Sequence, residues 1–238
     1  MIGKGKSISH GVAALEYDLA KEIDGQAAAT EIARHELYGC TGAEMVQEMK
    51  PYFTDFPNVK NNCLRFEVSP SIEESSSFTD ADWAELGNDF MQRMGLMNHQ
   101  YIIIKHSGTE SKKEQAHLHI LANRISLSGE LYRDNWIGKR ATEAANAIAK
   151  ERNFVQSQDI GKANKEEIKE VMNSVLKKMQ GFDLTKFQEE LGKLGFKVRE
   201  ARASTGKLNG YYVTARSGTE YKASEIGKGY TFAHIERT

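Results

Sequence analysis

Hydrophobic and polar positions along this chain switch between a helical period and strict alternation. "SISHGVAALEYDLAKEI" places Val12, Leu15, Leu19 and Ile23 at helical spacing and predicts a short helix. "TEIARHEL" and "TGAEMVQEMKPYF" predict two more, and Pro51 and Pro57 bracket a loop. "NCLRFEVSP" alternates, with Leu64, Phe66 and Val68 on one face and Arg65, Glu67 and Ser69 on the other, a strand closed by Pro70. In "FTDADWAELGNDFMQRMG" the helical period returns, with Thr79 as N-cap, Asp82 completing a capping box and Gly95 as the stop. "HQYIIIKH" is a continuous apolar strand, "AHLHILANRI" a second, and "GELYRD" a third after the turn "SLSG". Helical spacing resumes in "GKRATEAANAIAKERNF", "NKEEIKEVMNSVLKKMQG" and "DLTKFQEELGKLG". The chain finishes on the strand-like "FKVREARAS", "GYYVTARSG" and "TEYKASEIG", separated by Gly-bearing turns.

Strands and helices are interspersed without a strict βαβ alternation. That predicts an α+β fold, a central and mainly antiparallel sheet with helices packed on it, over a doubly wound parallel sheet. The expectation is one domain over 1–238, with 163–193 as a candidate helical subdomain. With 39% hydrophobic and 27% charged residues and a mean hydropathy of -0.56, the composition is that of a soluble globular protein. No apolar run reaches the roughly 18 residues of a membrane helix, and the start lacks the apolar stretch of a signal peptide. A cytoplasmic location without a membrane partner is therefore expected. Cys40 and Cys63 have neither metal-type spacing nor a disulfide framework. A net charge of -1 argues against a non-specific DNA coat. From Lys193 onward, however, nine Lys/Arg stand against four Glu, a local balance of +5. Such a patch fits contact with a defined stretch of phosphate backbone, and equally an ordinary solvated surface.

The candidate chemistry centres on "AHLHILANRI". In a strand His117 and His119 point to one face and Leu118 and Ile120 to the other. His106 ends the preceding apolar strand, so if the two strands are neighbours the three rings share an edge. Three neutral imidazoles with open positions suit a divalent metal that still accepts substrate oxygens. Histidines on an exposed edge strand need no metal, and clusters of this kind mark sites only statistically. Tyr17 falls nearly opposite the stripe of its helix at about 100° per residue, presented away from the core as a nucleophile would be and as any surface tyrosine is. Tyr38, in "HELYGC", is its rival.

"HSGTESKKEQAHLHILANRI" followed by "SLSGEL" resembles the third motif of the relaxase/mobilisation nuclease family of plasmids and mobile elements: a histidine, a variable turn, His-hydrophobic-His and a nearby Asn-Arg. "GKSISHGVAALEY" is similar to the family's first motif, "RFEVSPS" to its second, and "YKASEIGKGYTFAHIE" to the Gly-containing block that ends many of these domains. Where many relatives carry His-x-Asp, this chain has Gly108, with Glu110 two residues on. The resemblance implies a relaxase, or HUH endonuclease, fold. It implies that His106, His117 and His119 hold a divalent ion, Mg2+ or Mn2+ in first place with Zn2+ or Ni2+ as alternatives, against a DNA phosphate that Tyr17 attacks. Glu67 is the candidate carboxylate behind the histidines. Asn123 and Arg124 are candidates to contact the phosphate or to position the metal site, Lys105, Lys112 and Lys113 flank the same edge as candidate backbone contacts, and Lys222 and Lys228 are candidate contacts in the basic tail. The implied partner is single-stranded origin-of-transfer DNA with an adjacent hairpin, along with accessory mobilisation proteins and a coupling protein. A rolling-circle replication initiator shares the chemistry, although its histidine motif typically precedes the tyrosine. A DNA-binding module with structural histidines and an unrelated metal enzyme of the oxygenase type remain alternatives.

Overall fold

The computed structural model describes residues 1–23, 25–107 and 115–236. These divide into two compact units, Met1–Ser157 and Gln158–Thr238. In the first, β1 (Ile2–Ile8) leads into α1 (Gly11–Leu19), the small strands β2 (Glu22–Ile23) and β3 (Gln26–Ala27), and β4 (Ala29–His35). Then come α2 (Gly42–Met49), a 3-10 turn, β5 (Cys63–Ser69), the single turn α3 (Ile72–Ser75), α4 (Asp80–Met94), β6 (His99–His106), β7 (His117–Ser126) and α5 (Ile137–Glu151). The five long strands form one antiparallel sheet in the order β1-β5-β7-β6-β4. Leu64, Phe66, Val68, Leu118 and Ile120 turn one face toward α4 and α5, packing with Phe90, Ala141 and Ile148. On the other face Cys63, Ile102, Ile104 and Leu121 pack with Leu15 of α1 and Met45 and Met49 of α2. Each helix therefore closes one side of a sheet whose middle strands are apolar on both faces.

Local signals explain most of these elements. Thr79 and Asp82 form the expected reciprocal capping box on α4, and Gly95 ends that helix at φ 73°. Four elements depart from the sequence reading. "TEIARHEL" is not a helix but the edge strand β4, whose pairing with β6 and the stacking of His35 on Tyr101 override a helix-favouring composition. β1 carries no apolar pattern because its core-facing positions are glycines. A Cβ at Gly3 would meet the Ala141 carbonyl oxygen at 2.5 Å and the Ala145 Cβ at 2.6 Å, so α5 sits where side chains would otherwise stand. "GELYRD" contributes one isolated bridge, Ile125 to Leu131, instead of a full strand. Helix α1 is shorter than expected, and Ile23 lies in β2.

The second unit holds α6 (Ser157–Leu176), α7 (Leu184–Lys193), an antiparallel sheet of β8 (Lys197–Arg202), β9 (Leu208–Thr214) and β10 (Glu220–Lys222), and the short helices α8 (Ala223–Ile226) and α9 (Phe232–Ile235). The stretch 163–193 shares its core with those strands: Ile168, Met172, Phe187 and Leu191 pack against Tyr211 and Val213. Among the described residues no helix is long and apolar enough to cross a membrane.

Candidate active site

Strand register brings the three histidines together. His106 lies directly opposite His117 on the β6–β7 ladder, and His119 follows two residues later on the same face. The His106 and His119 rings are 4.4 Å apart between centroids, His117 and His119 4.8 Å, and one ligand nitrogen from each ring lies within 4.8 Å of the other two. His117 Nδ1 is 2.9 Å from the Gln115 carbonyl, which places its N–H there and leaves Nε2 as a lone pair. His106 Nε2 is 2.7 Å from the Asp18 carbonyl, so its N–H points outward and Nδ1 is bare. The Nε2 atoms of His117 and His119 face each other at 3.0 Å. Burial, then the neighbouring rings of His106 and His117, push His119 down to about 2, and burial likewise lowers His106. One nitrogen from each of three imidazoles gathered at this spacing, one ring buried and two half-buried, is a donor set that ligates a divalent cation when unprotonated, so these residues fit the metal.

Helix α1 lies over this face. Its buried positions are Gly11, Ala14, Leu15 and Asp18, with Val12 exposed, so the buried stripe is rotated from the one the apolar residues suggest. Tyr17 still falls outside that stripe and is 63% exposed. Its neighbour Asp18 is 1% exposed. Arg65 Nε donates to Asp18 Oδ2 at 3.1 Å and Arg65 Nη2 donates to Oδ1. Asp18 Oδ1 is 3.9 Å from His119 Nδ1, and Arg65 Nη2 is 3.4 Å from that same nitrogen. Burial raises the Asp18 carboxyl against the opposing pull of Arg65.

Asp18 and Arg65 are thus the charged pair behind the triad, and Asp18 was missed. Its spacing from Gly11, Ala14 and Leu15 is the one signal that could have found it, hidden because a carboxylate reads as solvent-facing. Glu67 does lie opposite His119 in the β5–β7 register, but its carboxylate accepts from Lys4 Nζ at 2.8 Å. Asn123 is fully buried: its Nδ2 donates to Gln100 Oε1 at 2.9 Å and its Oδ1 accepts from the Ile125 N–H at 2.9 Å, so it is an internal bridge and not a phosphate contact. Arg124 spends its donors on the Tyr132 carbonyl, the Asn61 carbonyl and Asp134, fixing a loop instead of DNA. Lys105 pairs with Asp80. Lys222 and Lys228 are exposed in the second unit, with no ion pair among the described residues. Gly108, Glu110, Lys112 and Lys113 lie outside the described residues. Tyr38 is exposed and its hydroxyl bonds Glu36 at 3.1 Å, which holds its phenol above the usual range. It follows the end of β4 that pairs with Tyr101, about 17 Å of strand from His106.

An antiparallel sheet presenting three clustered histidines beneath a helix with an exposed tyrosine defines a metal-supported nuclease centre. Comparison with protein families matches residues 17–154 to "Relaxase: MobA/VirD2-like, nuclease domain". The chain belongs to that family, and the matched span contains Tyr17 and all three histidines. Among solved structures a remote likeness, 11% identical with a TM-score of 0.36, covers 87% of this chain and 74% of one described as conjugative relaxase TrwC in complex with oriT DNA, metal-bound. Comparison with curated proteins gave no match.

Proposed function

We propose that this relaxase cuts and rejoins one strand of origin-of-transfer DNA through Tyr17, next to a divalent ion held by His106, His117 and His119. The observation that carries the assignment is the His106–Asp18 hydrogen bond, which ties the histidine triad to the residue following Tyr17. When bound, the ion supplies charge stabilisation for the phosphoryl oxygens. The chain's own groups do the rest. Tyr17 is solvent-facing, so its phenol is accessible to an incoming phosphate. Its oxygen forms a bond to phosphorus while the bond to the 3′-oxygen breaks, leaving a 5′-phosphotyrosine and a free 3′-hydroxyl. The phenol gives up one proton and the departing oxygen takes one, so the exchange is proton-neutral, and its reverse reseals the strand. The covalent link conserves the phosphodiester energy for that resealing. The Asp18–Arg65 pair and the Gln115 carbonyl hold the rings in orientation.

Further parts of the reading are a hairpin beside the nick site, engagement of accessory mobilisation and coupling proteins, and action in the cytoplasm to start transfer of a mobile element. Lys222 and Lys228 are its backbone contacts in the second unit, which the family match does not reach.

The test is incubation of the protein with single-stranded origin DNA and Mn2+, read on a denaturing gel. A covalent adduct should form and map by peptide mass to "AALEYDLAK". Tyr17→Phe and His119→Ala should abolish it, while Tyr38→Phe should leave it intact. An adduct that persists in Tyr17→Phe, or maps to Tyr38, refutes the assignment.

A further inference from the structure

Trp136 is exceptional in three respects. It is 81% exposed, the most exposed of the large hydrophobic residues. It occupies left-handed backbone at φ 56°, ψ 27°, a conformation that a bulky side chain rarely adopts. It also stands at the N-cap of α5 and makes no capping hydrogen bond, where Ser, Asp or Asn would supply one. Each feature is unfavourable for folding, and strained residues of this kind persist only where their surroundings over-determine them.

The surroundings do so here. Asp134 accepts from Arg124 Nη2 at 2.7 Å and from Ser7 Oγ at 2.6 Å, and its carbonyl accepts from the Ile137 N–H at 3.1 Å. Arg140 lies 4.6 Å over the Tyr132 ring and donates to the Arg133 carbonyl at 2.7 Å. The loop is therefore clamped from both sides while the indole projects into solvent with Arg133 and Asn135. It stands at the start of α5, which covers the face of the sheet opposite the histidines and meets the edge strand β1 that borders their hollow. A Cβ at Gly138 would lie 3.4 Å from the Gly5 carbonyl, so the first turn of α5 rests on Gly5. Gly5 in turn lines a hollow with Lys4, Lys6, Arg65, Glu67 and His119. Lys6, exposed on that edge, and Arg133, exposed three residues before Trp136 in the same loop, have no ion pair among the described residues.

We propose that Trp136 is a stacking platform for one unpaired base of the single-stranded substrate, met where the strand passes from the His119 face over the Lys4 and Lys6 edge to the face that α5 covers. This rests on the single-stranded DNA reading above. A rigidly held, exposed aromatic ring on a surface that also exposes unpaired cations is the arrangement that binds unpaired nucleic acid without sequence preference, bases on the ring and phosphates on the cations. Immobilising the loop beforehand removes an ordering cost from binding.

The protein has two tryptophans, and Trp83 is buried at 3% exposure, which gives a direct readout. Oligothymidylate is titrated into the metal-free protein while tryptophan emission is followed. Emission should be quenched in the wild type and in Trp83→Phe, and not in Trp136→Phe. Trp136→Asn, an exchange that suits left-handed backbone, should melt no lower than wild type yet bind between roughly fivefold and a hundredfold more weakly. Trp136→Phe should retain most of the affinity. If the wild type binds and nicks DNA while Trp136→Asn binds equally well, the platform is overturned and the relaxase reading stands. If the wild type does not bind single-stranded DNA, both fall. A loss confined to duplex or to a protein partner also overturns the platform.

Discussion

The Asp18–Arg65 pair gives the most discriminating test of how the triad is supported. Asp18→Asn keeps the side chain's size and one acceptor but removes its charge. Arg65 would be left with its Nη2 3.4 Å from His119 Nδ1 and no counter-charge. Removing one partner of a buried pair costs about 3–5 kcal/mol. Arg65 retains 20% side-chain exposure, so water relieves part of this and the expected loss is about 3 kcal/mol. For a unit of this size that lowers the melting temperature by roughly 6–12 °C. The unmatched guanidinium beside the rings should also weaken divalent-ion binding by about 10–100-fold, the usual consequence of losing an outer partner of a ligand. Calorimetric titration with Mn2+, below the variant's melting range, measures the second effect separately from the first. Glu67→Gln is the matched control. Its ion pair with Lys4 is exposed, 64% on the lysine side, and is worth about 0–1 kcal/mol. It should leave ion affinity unchanged. Wild-type affinity in Asp18→Asn together with a loss in Glu67→Gln would refute the reasoning.

Two further outcomes are expected. Lys222→Ala with Lys228→Ala should weaken binding to a hairpin-plus-single-strand oligonucleotide and reduce the salt slope by about 1.4–1.8, two phosphate contacts' worth; an unchanged slope excludes both as contacts. Burial lowers His99 from its ordinary 6.5, and its Nδ1 lies 2.8 Å from the Asn123 carbonyl. The unfolded chain therefore takes up a proton that the folded chain refuses. This contribution to stability is full above about pH 6.5 and is lost progressively as pH falls toward the folded-state value. In urea denaturation with chelator across that window, His99→Gln should show a shallower decline than wild type, and an identical decline would contradict this.

How legible the molecule was in its sequence depended on what each segment packs against. The β6 and β7 strands were readable because they are apolar on both faces, and their pairing alone carried His106 to His117. Helix α4 announced itself through Thr79, Asp82 and Gly95. β1 was illegible because its contact with α5 is made by backbone, Gly3 and Gly5 standing where a pattern search needs side chains. β4 was misread because its identity is conferred by β6 and not by its own residues. Within the site, the histidines advertise their chemistry by type and spacing. Asp18 does not, since its place beneath α1 depends on Arg65, 47 residues later. Asn123 and Arg124 were legible as notable residues, but not their internal partners, because a buried bridge and a loop clamp use the same polar groups as a DNA contact.

The two borders of the five-stranded sheet bear on how the protein behaves at high concentration. A bare strand border is a template for another chain, and long flat ones invite aggregation. Here one border is β4, whose ladder shifts register between Glu31 and Ala33 and which carries the Glu31–Arg34 ion pair. The other is β1, studded with Lys4 and Lys6. A kink on one side and like charges on the other make strand-to-strand stacking of copies unfavourable. The lysines lining the approach to His119 therefore also act as a solubility guard, so charge-removing substitutions there should be screened for precipitation before any loss of DNA binding is interpreted.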